Sequence, residues 1–410
     1  MSADNSRGAA IAAEEGGANP SESREGAENI IDTGSADGLL EMARLLATEF
    51  DVSVQAAFDR LKHQEAVAPL TEKWRRQYST AFGGAYHAKG FAPRTTVRWI
   101  GRIPAEVELD VKQAAVDIVF ETSATASEKA LIAKSEQLFD ALTDAKIDVL
   151  STAPDSVEQR IIVAVAPTAS QGPMLAELNQ IIADFGTSSI PIEMSVVRTA
   201  AGAFQASTAY GGTAAVLSGT SQHKCTMAFA VRRGNTYGLL SAGHCPNNLD
   251  YVDPSSGATS ALTFVREYEG YYGDYAWYSM TDSVAAQFHT SSHASGRRYV
   301  TSIKSANQIN IGDTYCFYGR ATNRPSCGTV KYNNTCHRGG DHDVCNQVRV
   351  RNVYGRYGDS GGPWYVGSKA VGVHTGCFGS GCGNNTTRQD QSFTPVSLAE
   401  DGLGVAVITR

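Results

Sequence analysis

The sequence predicts two differently built halves, an α+β leading half and an all-β trailing half whose strands form a barrel or a sandwich. Three observations lead there. Residues 35–197 alternate apolar runs of helical period with runs of strand period. From Cys225 onward the runs are short and strand-like, parted by Gly, Asn, Asp and Ser. All eight cysteines lie between Cys225 and Cys382, so the first 224 residues contain none.

In chain order, residues 1–34 read as a flexible acidic tail, rich in Ala, Gly, Glu and Ser and without an apolar core. Residues 35–80 hold three helical patterns: Leu39, Leu40, Ala43, Leu46 and Ala47; Val54, Phe58 and Leu61; Leu70, Trp74 and Tyr78. A strand over Ala115–Phe120, a helix over Ser127–Ala145, strands over Ile147–Ser151 and Gln159–Val165, a helix over Pro173–Phe185 and a strand over Ile190–Val197 follow. That β-α-β-β-α-β order matches a split βαβ, ferredoxin-like unit, and it contains no nucleophile, metal cluster or phosphate loop. In the trailing half, strands are expected at Met227–Val231, Tyr237–Ser241, Ala261–Arg266, Ala276–Ser279, Val348–Val353, Ala370–His374 and Val405–Ile408. A helix is expected only near Val396–Asp401, stopped by Gly402.

Composition narrows the function classes. No apolar run approaches the roughly 18 residues of a membrane-spanning helix, and Ile161–Ala166 fits a strand, so no membrane role is expected. Met1 to about Gly34 lacks the basic stretch and apolar core of an export signal, which is expected to lie elsewhere or to have been removed. An even number of cysteines confined to one half suits disulfides formed in an oxidising compartment, hence secretion. Residues 1–208 carry 18 Lys and Arg against 29 Asp and Glu, and residues 209–410 carry 17 against 13. Opposite net charges favour docking of one half on the other. No basic run with interleaved aromatics appears, so nucleic acid is not an expected partner.

Three short motifs carry the chemistry: Ser241-Ala242-Gly243-His244-Cys245, Gly273-Asp274-Tyr275-Ala276 and Gly358-Asp359-Ser360-Gly361-Gly362-Pro363. A serine hydroxyl becomes a nucleophile at neutral pH when a histidine takes its proton and a carboxylate holds that histidine in the right tautomer. His244, Asp274 and Ser360 supply those groups. Glycines around Ser360 bring backbone N–H donors close to a developing oxyanion, a task for Gly358 and Ser360. Singly, each motif also reads as a packed histidine, a turn aspartate and a glycine loop. Their joint occurrence in order points to catalysis.

In these residues the chain resembles the chymotrypsin-like serine proteases, most closely the secreted bacterial branch of streptogrisins and alpha-lytic protease, over roughly residues 209–410. Cys225, the Cys316 and Cys327 pair followed by Gly328-Thr329-Val330, and Phe393-Thr394-Pro395-Val396 add to the resemblance. It implies two packed six-stranded antiparallel β-barrels with the site between them, and a serine endopeptidase that cuts proteins and peptides without a cofactor, as a monomer. It also implies disulfides Cys225–Cys245 and Cys316–Cys327, while nearness in sequence suggests Cys336–Cys345 and Cys377–Cys382. The branch is made with long pro-regions that assist folding and then block the site. By position and lack of cysteine, residues 1 to about 208 look like such a pro-region and partner, with 35–208 as its α+β part, and the Gly-bearing tract from Arg198 to Gly212 looks like its processing linker, cut near Ala209. The rival reading is a non-catalytic module with the same fold.

The resemblance places His374 at the substrate pocket and Thr375 where the family keeps a serine that steadies the catalytic Asp; Thr375, Gly376 and Tyr357 are expected beside His374 as substrate-binding residues. Tyr354 stands where trypsin-like enzymes carry a carboxylate, which disfavours cleavage after Lys or Arg. His374 followed by a small hydroxyl residue marks the glutamyl endopeptidases of the branch, so glutamate is one candidate for the residue before the cut. The other is a large apolar residue, because the linker offers Phe204 and Tyr210 and no Asp or Glu lies between Glu193 and Asp250. The branch pairs Asp359 with an arginine after the first cysteine of the Cys316 pair. Phe317 stands there, and Arg320 is the nearest substitute. The tract from Cys336 to Cys345 superficially resembles a metal site, but lacks ligand spacing and is expected to be a disulfide-closed hairpin.

Overall fold

Apolar positions recurring at helical spacing after residue 35 form two helices rather than three, Ser35–Phe50 and Val54–Gln77. Ser53 caps the second, its Oγ accepting from Ala56 N at 3.1 Å. The second and third expected helices merge across Pro69. A proline inside a helix costs a hydrogen bond. Here Leu61, Val67, Ala68, Thr71 and Trp74 bury one continuous face spanning it, and that packing outweighs local propensity. The computed structural model describes residues 30–31, 35–147, 149–165, 172–186, 190–196, 209–254, 256–291, 296–338, 343–378 and 388–410.

Strands Phe82–His87 and Thr95–Trp99 and a helix, Ala105–Ala114, were not legible in the sequence pattern. The strand expected over Ala115–Phe120 runs from Ile118 to Glu121 and pairs in parallel with Thr95–Trp99. This corrects the ferredoxin-like expectation. The element order stands, with helices Glu128–Asp144 and Gly172–Phe185, but the first strand belongs to a separate three-stranded sheet. Val149–Asp155 pairs with Arg160–Val165, which pairs in parallel with Ile192–Val196. The free edge of Val149–Asp155 pairs instead with the trailing half, Thr152 opposite Cys336 and Ser151 opposite His337. Periodicity marks a strand; it does not name the edge that satisfies its backbone.

The trailing half is built from β-sheet. Six strands, Thr314–Gly319, Pro363–Val366, Lys369–Phe378, Gln389–Pro395, Asp343–Val353 and Arg324–Arg338, pair in that antiparallel order, and the last pairs back to the first. They close a barrel. A four-stranded sheet (259–261, 249–252, 213–217, 223–227) and a five-stranded sheet (263–270, 273–279, 236–241, 230–233, with 406–407 from beyond the barrel strands) precede them, and Ile30–Ile31, Arg297–Tyr299 and Gln287–His289 form a three-stranded sheet. Helix Val396–Leu403 runs past Gly402 and ends at Gly404, whose φ of 66° suits a left-handed cap.

One apolar core joins the halves. Met42, Leu46 and Leu61 are fully buried in the cluster that contains Phe229, Trp277, Phe317, Trp364 and Phe393. Across the same boundary, acids of the leading half meet bases of the trailing half: Glu41 with Arg298 at 2.8 Å, Glu49 with Arg388 at 2.8 Å, and Glu65 with both Lys304 at 2.6 Å and Lys369 at 2.7 Å. No helix among the described residues is long and apolar enough to cross a membrane.

Candidate active site

His244 follows the strand Thr236–Ser241, Asp274 opens the strand Gly273–Ser279, and Ser360 lies in the turn before Pro363–Val366. Residues 30 and 116 positions apart in sequence converge. His244 Nδ1 lies 2.9 Å from Asp274 Oδ2, and Nε2 lies 2.8 Å from Ser360 Oγ. His244 N also donates to Asp274 Oδ1 at 3.0 Å, so both carboxylate oxygens are engaged. With Nδ1–H pointed at an ionised carboxylate, Nε2 is left as the acceptor facing the serine.

Asp274 is completely buried. Burial alone would push its pKa up, but the His244 ring and the His244 backbone N–H hold the carboxyl below the usual range. Desolvation pulls the His244 pKa down, and the carboxylates of Asp274 and Glu269 reverse this and leave it raised. Behind the aspartate, Gln347 Nε2 donates to Thr394 Oγ1 at 2.7 Å, and Thr394 Oγ1 accepts from Asp274 N at 2.9 Å. This layer was missed by sequence reading. Only the Phe393-Thr394-Pro395-Val396 stretch pointed toward it.

The turn carrying Ser360 is pinned from several sides. Thr226 Oγ1 donates to Gly358 O at 2.7 Å, Thr226 N to Ser360 O at 2.7 Å, and Gly361 N to His374 O at 2.7 Å. Gly361 has φ of 84°, and a Cβ there would sit 2.1 Å from Ser241 Oγ and 2.2 Å from Thr226 O, so only glycine fits. The backbone N–H groups of Gly358 and Ser360 donate to no acceptor among the described residues. Such a pair suits an oxyanion.

Asp359 corrects an expectation. Arg320 turns away, donating to Asn323 Oδ1 at 2.8 Å, and does not reach Asp359. Thr322 N and Arg356 N each donate to the carboxylate at 2.8 Å, and Thr322 Oγ1 makes a further short contact. Burial nonetheless pushes the Asp359 carboxyl up to about 6. Neutral donors replace the guanidinium but compensate the lost hydration less fully than a cation would.

His374, Thr375, Gly376 and Tyr357 line one cleft of about 380 Å³ together with His244, Gly358 and Ser360. The lining also includes Arg356 and Gln391, which the sequence did not single out. Tyr354 is absent from it, and its ring is covered by Arg324 at 3.7 Å and Arg388 at 4.7 Å. His374 is buried against Phe317, ring centroids 4.3 Å apart, and its Nδ1 accepts from Trp364 Nε1 at 3.2 Å. That hydrogen bond places the ring proton on Nε2, and burial lowers the His374 pKa to about 3.

Cys225–Cys245, Cys316–Cys327 and Cys336–Cys345 are disulfides. Cys377 is also disulfide-bonded, while Cys382 lies outside the described residues. The bond between Cys336 and Cys345 leaves no thiolate for a metal. No group of metal-ligating side chains occurs among the described residues.

No family model matches the chain. Among curated proteins, it is 30% identical over 185 residues to glutamyl endopeptidase 2 of Streptomyces griseus, covering 45% of this chain and 93% of that protein. The chain belongs to the bacterial chymotrypsin-like serine proteases. Serine protease 1 of Streptomyces fradiae is 31% identical over 269 residues, 64% of this chain and 68% of that protein. Among solved structures, Thermobifida fusca protease A is 26% identical with a TM-score of 0.41, covering 49% of this chain and 98% of that one. As a member of this family, the chain is a serine endopeptidase and its substrates are proteins or peptides.

Proposed function

We propose that the chain is a self-processing zymogen of a secreted, monomeric endopeptidase in which His244, Asp274 and Ser360 form the catalytic triad. The contact of His244 Nε2 with Ser360 Oγ at 2.8 Å carries this reading. Ser360 Oγ loses its proton to Nε2 as it attacks the peptide carbonyl. Asp274 holds the resulting imidazolium, and the Gly358 and Ser360 N–H groups receive the oxyanion. Collapse of the intermediate passes the proton from His244 to the leaving amine, and a water activated by the same nitrogen hydrolyses the acyl-enzyme.

For the residue before the scissile bond we favour glutamate. A His374 held with Nε2–H and buried in the cleft wall presents a neutral donor to a carboxylate, and one relative, matched over 185 residues, is named a glutamyl endopeptidase. Residues 35–208 act as the pro-region: they share an apolar core and a sheet with residues 209–410, contacts suited to assisting folding. Ala209 and Tyr210 are 6% and 3% exposed, which favours a cut on the 197–208 side of Ala209.

Oxidative folding of the full chain beside its Ser360→Ala variant, followed by intact mass, N-terminal reading and peptide hydrolysis, tests the proposal. Wild type should yield a fragment beginning at or before Ala209. Ser360→Ala should remain whole and lose turnover by on the order of 10⁴-fold or more. Hydrolysis by Ser360→Ala at near wild-type rate would refute the triad, and a cut in neither chain would refute self-processing.

A further inference from the structure

Gln391 is 1% exposed, lines the catalytic cleft, and has no partner for either its Oε1 or its Nε2. Its position is set by packing. A Cβ on Gly355, at the start of the loop leading to Ser360, would lie 2.7 Å from Gln391 Oε1 and 2.8 Å from its Cδ, so the absent side chain makes room for the carboxamide against the backbone. Buried amides are ordinarily satisfied on both ends. An unsatisfied donor and an unsatisfied acceptor in a substrate cleft call for a ligand group that offers both.

We infer that Gln391 and His374 together read a carboxamide, so that the pocket accepts glutamine before the scissile bond as well as glutamate. This rests on the assignment of the cleft around His374 as the pocket for that residue. The amide oxygen of a substrate glutamine accepts from His374 Nε2–H, and its NH₂ donates to Gln391 Oε1. A glutamate accepts from His374 Nε2–H and Gln391 Nε2–H, and leaves Oε1 without a donor. His374 is neutral, so no buried cation is required by either ligand.

A pocket that accepts glutamine reconciles an acidic preference with a linker without acids. Between Arg198 and Gly212 the sequence has no Asp or Glu and a single glutamine, Gln205. Cleavage after it would give a fragment beginning at Ala206, ahead of the buried Ala209.

The test uses the full chain, folded oxidatively and allowed to process, with peptides identical except for Glu, Gln, Leu or Phe before the scissile bond. Labelling of Ser360 by a fluorophosphonate confirms an intact site in each variant. Wild type should cut Gln within about tenfold of Glu. Gln391→Leu should lose Gln cleavage tenfold or more, and Gln391→Glu, which keeps the acceptor but repels a carboxylate, should prefer Gln over Glu by tenfold or more. The N-terminal read should begin at Ala206. If Glu is cut at least 100-fold faster than Gln and Gln391→Leu leaves Glu unchanged, the role of Gln391 falls while the glutamate assignment stands. If Gln is cut equally by wild type and Gln391→Leu, Gln391 is not the reader. If only Leu or Phe is cut, both assignments fall.

Discussion

Glu65 should be the most sensitive polar position at the boundary between the halves. It projects from helix Val54–Gln77, and its two oxygens each take one ammonium, Lys304 Nζ at 2.6 Å and Lys369 Nζ at 2.7 Å. The Lys304 side chain is 1% exposed, whereas Lys369 is 31% exposed. Burial favours a neutral Lys304, and the carboxylates of Glu65 and Asp313 reverse this and keep it charged. Glu65→Ala leaves a buried ammonium with only Asp313 and the Tyr315 ring, 5.6 Å away, to offset its lost hydration. Breaking a buried pair costs about 3–5 kcal/mol. The remaining Asp313 favours the lower end, about 3 kcal/mol, while Lys369 can turn to water. Equilibrium urea unfolding in the Ser360→Ala background, followed by tryptophan fluorescence, measures this: Trp74 and Trp99 report the leading half, Trp277 and Trp364 the trailing half. Replacing both partners, Glu65→Leu with Lys304→Met, should recover only part of that loss, because Lys304→Met also takes the ammonium away from buried Asp313. A cost below about 1 kcal/mol for Glu65→Ala would refute the argument.

Acid should loosen the same boundary. His63 has a pKa lowered to about 4 by burial beside His87 and Arg60, and His87, also lowered by burial, bonds to Asp313 at 2.8 Å and to Thr95 at 2.7 Å. Both take up protons more readily when unfolded, so their contribution is present above pH 6.5 and lost as pH falls toward 4. At pH 5 the His63 share is about 2 kcal/mol, and His63→Leu should flatten the pH dependence of the unfolding free energy by that amount. An unchanged slope would exclude His63. For peptide hydrolysis, kcat/KM should rise as His244 loses its proton, with the acidic midpoint above pH 6.5 because Asp274 raises its pKa. A midpoint below 6.5 would contradict that pairing. Gly361→Ala should lower kcat/KM at least tenfold, since its Cβ would meet Ser241 Oγ and Thr226 O and displace the nucleophile turn.

The sequence alone determined the all-β character of the trailing half and the three residues that meet at the site, because short motifs around His244, Asp274 and Ser360 carry their own chemistry. It also marked most helices and strands of the leading half, from Ser127 onward, since their apolar spacing is a local property. Tertiary structure decided what those elements face. Val149–Asp155 pairs with Arg324–Arg338 rather than with a strand of its own half, because an open edge takes the nearest complementary backbone regardless of chain distance. One helix runs through Pro69 because a buried face on both sides of it outweighs the lost hydrogen bond. Asp359 finds Thr322 instead of Arg320, and Gln391 lines the cleft with its buried amide unpaired, for the same reason. Spacing along the chain records which groups exist; the packing of strands far apart in sequence settles which of them are satisfied and which remain free for a substrate.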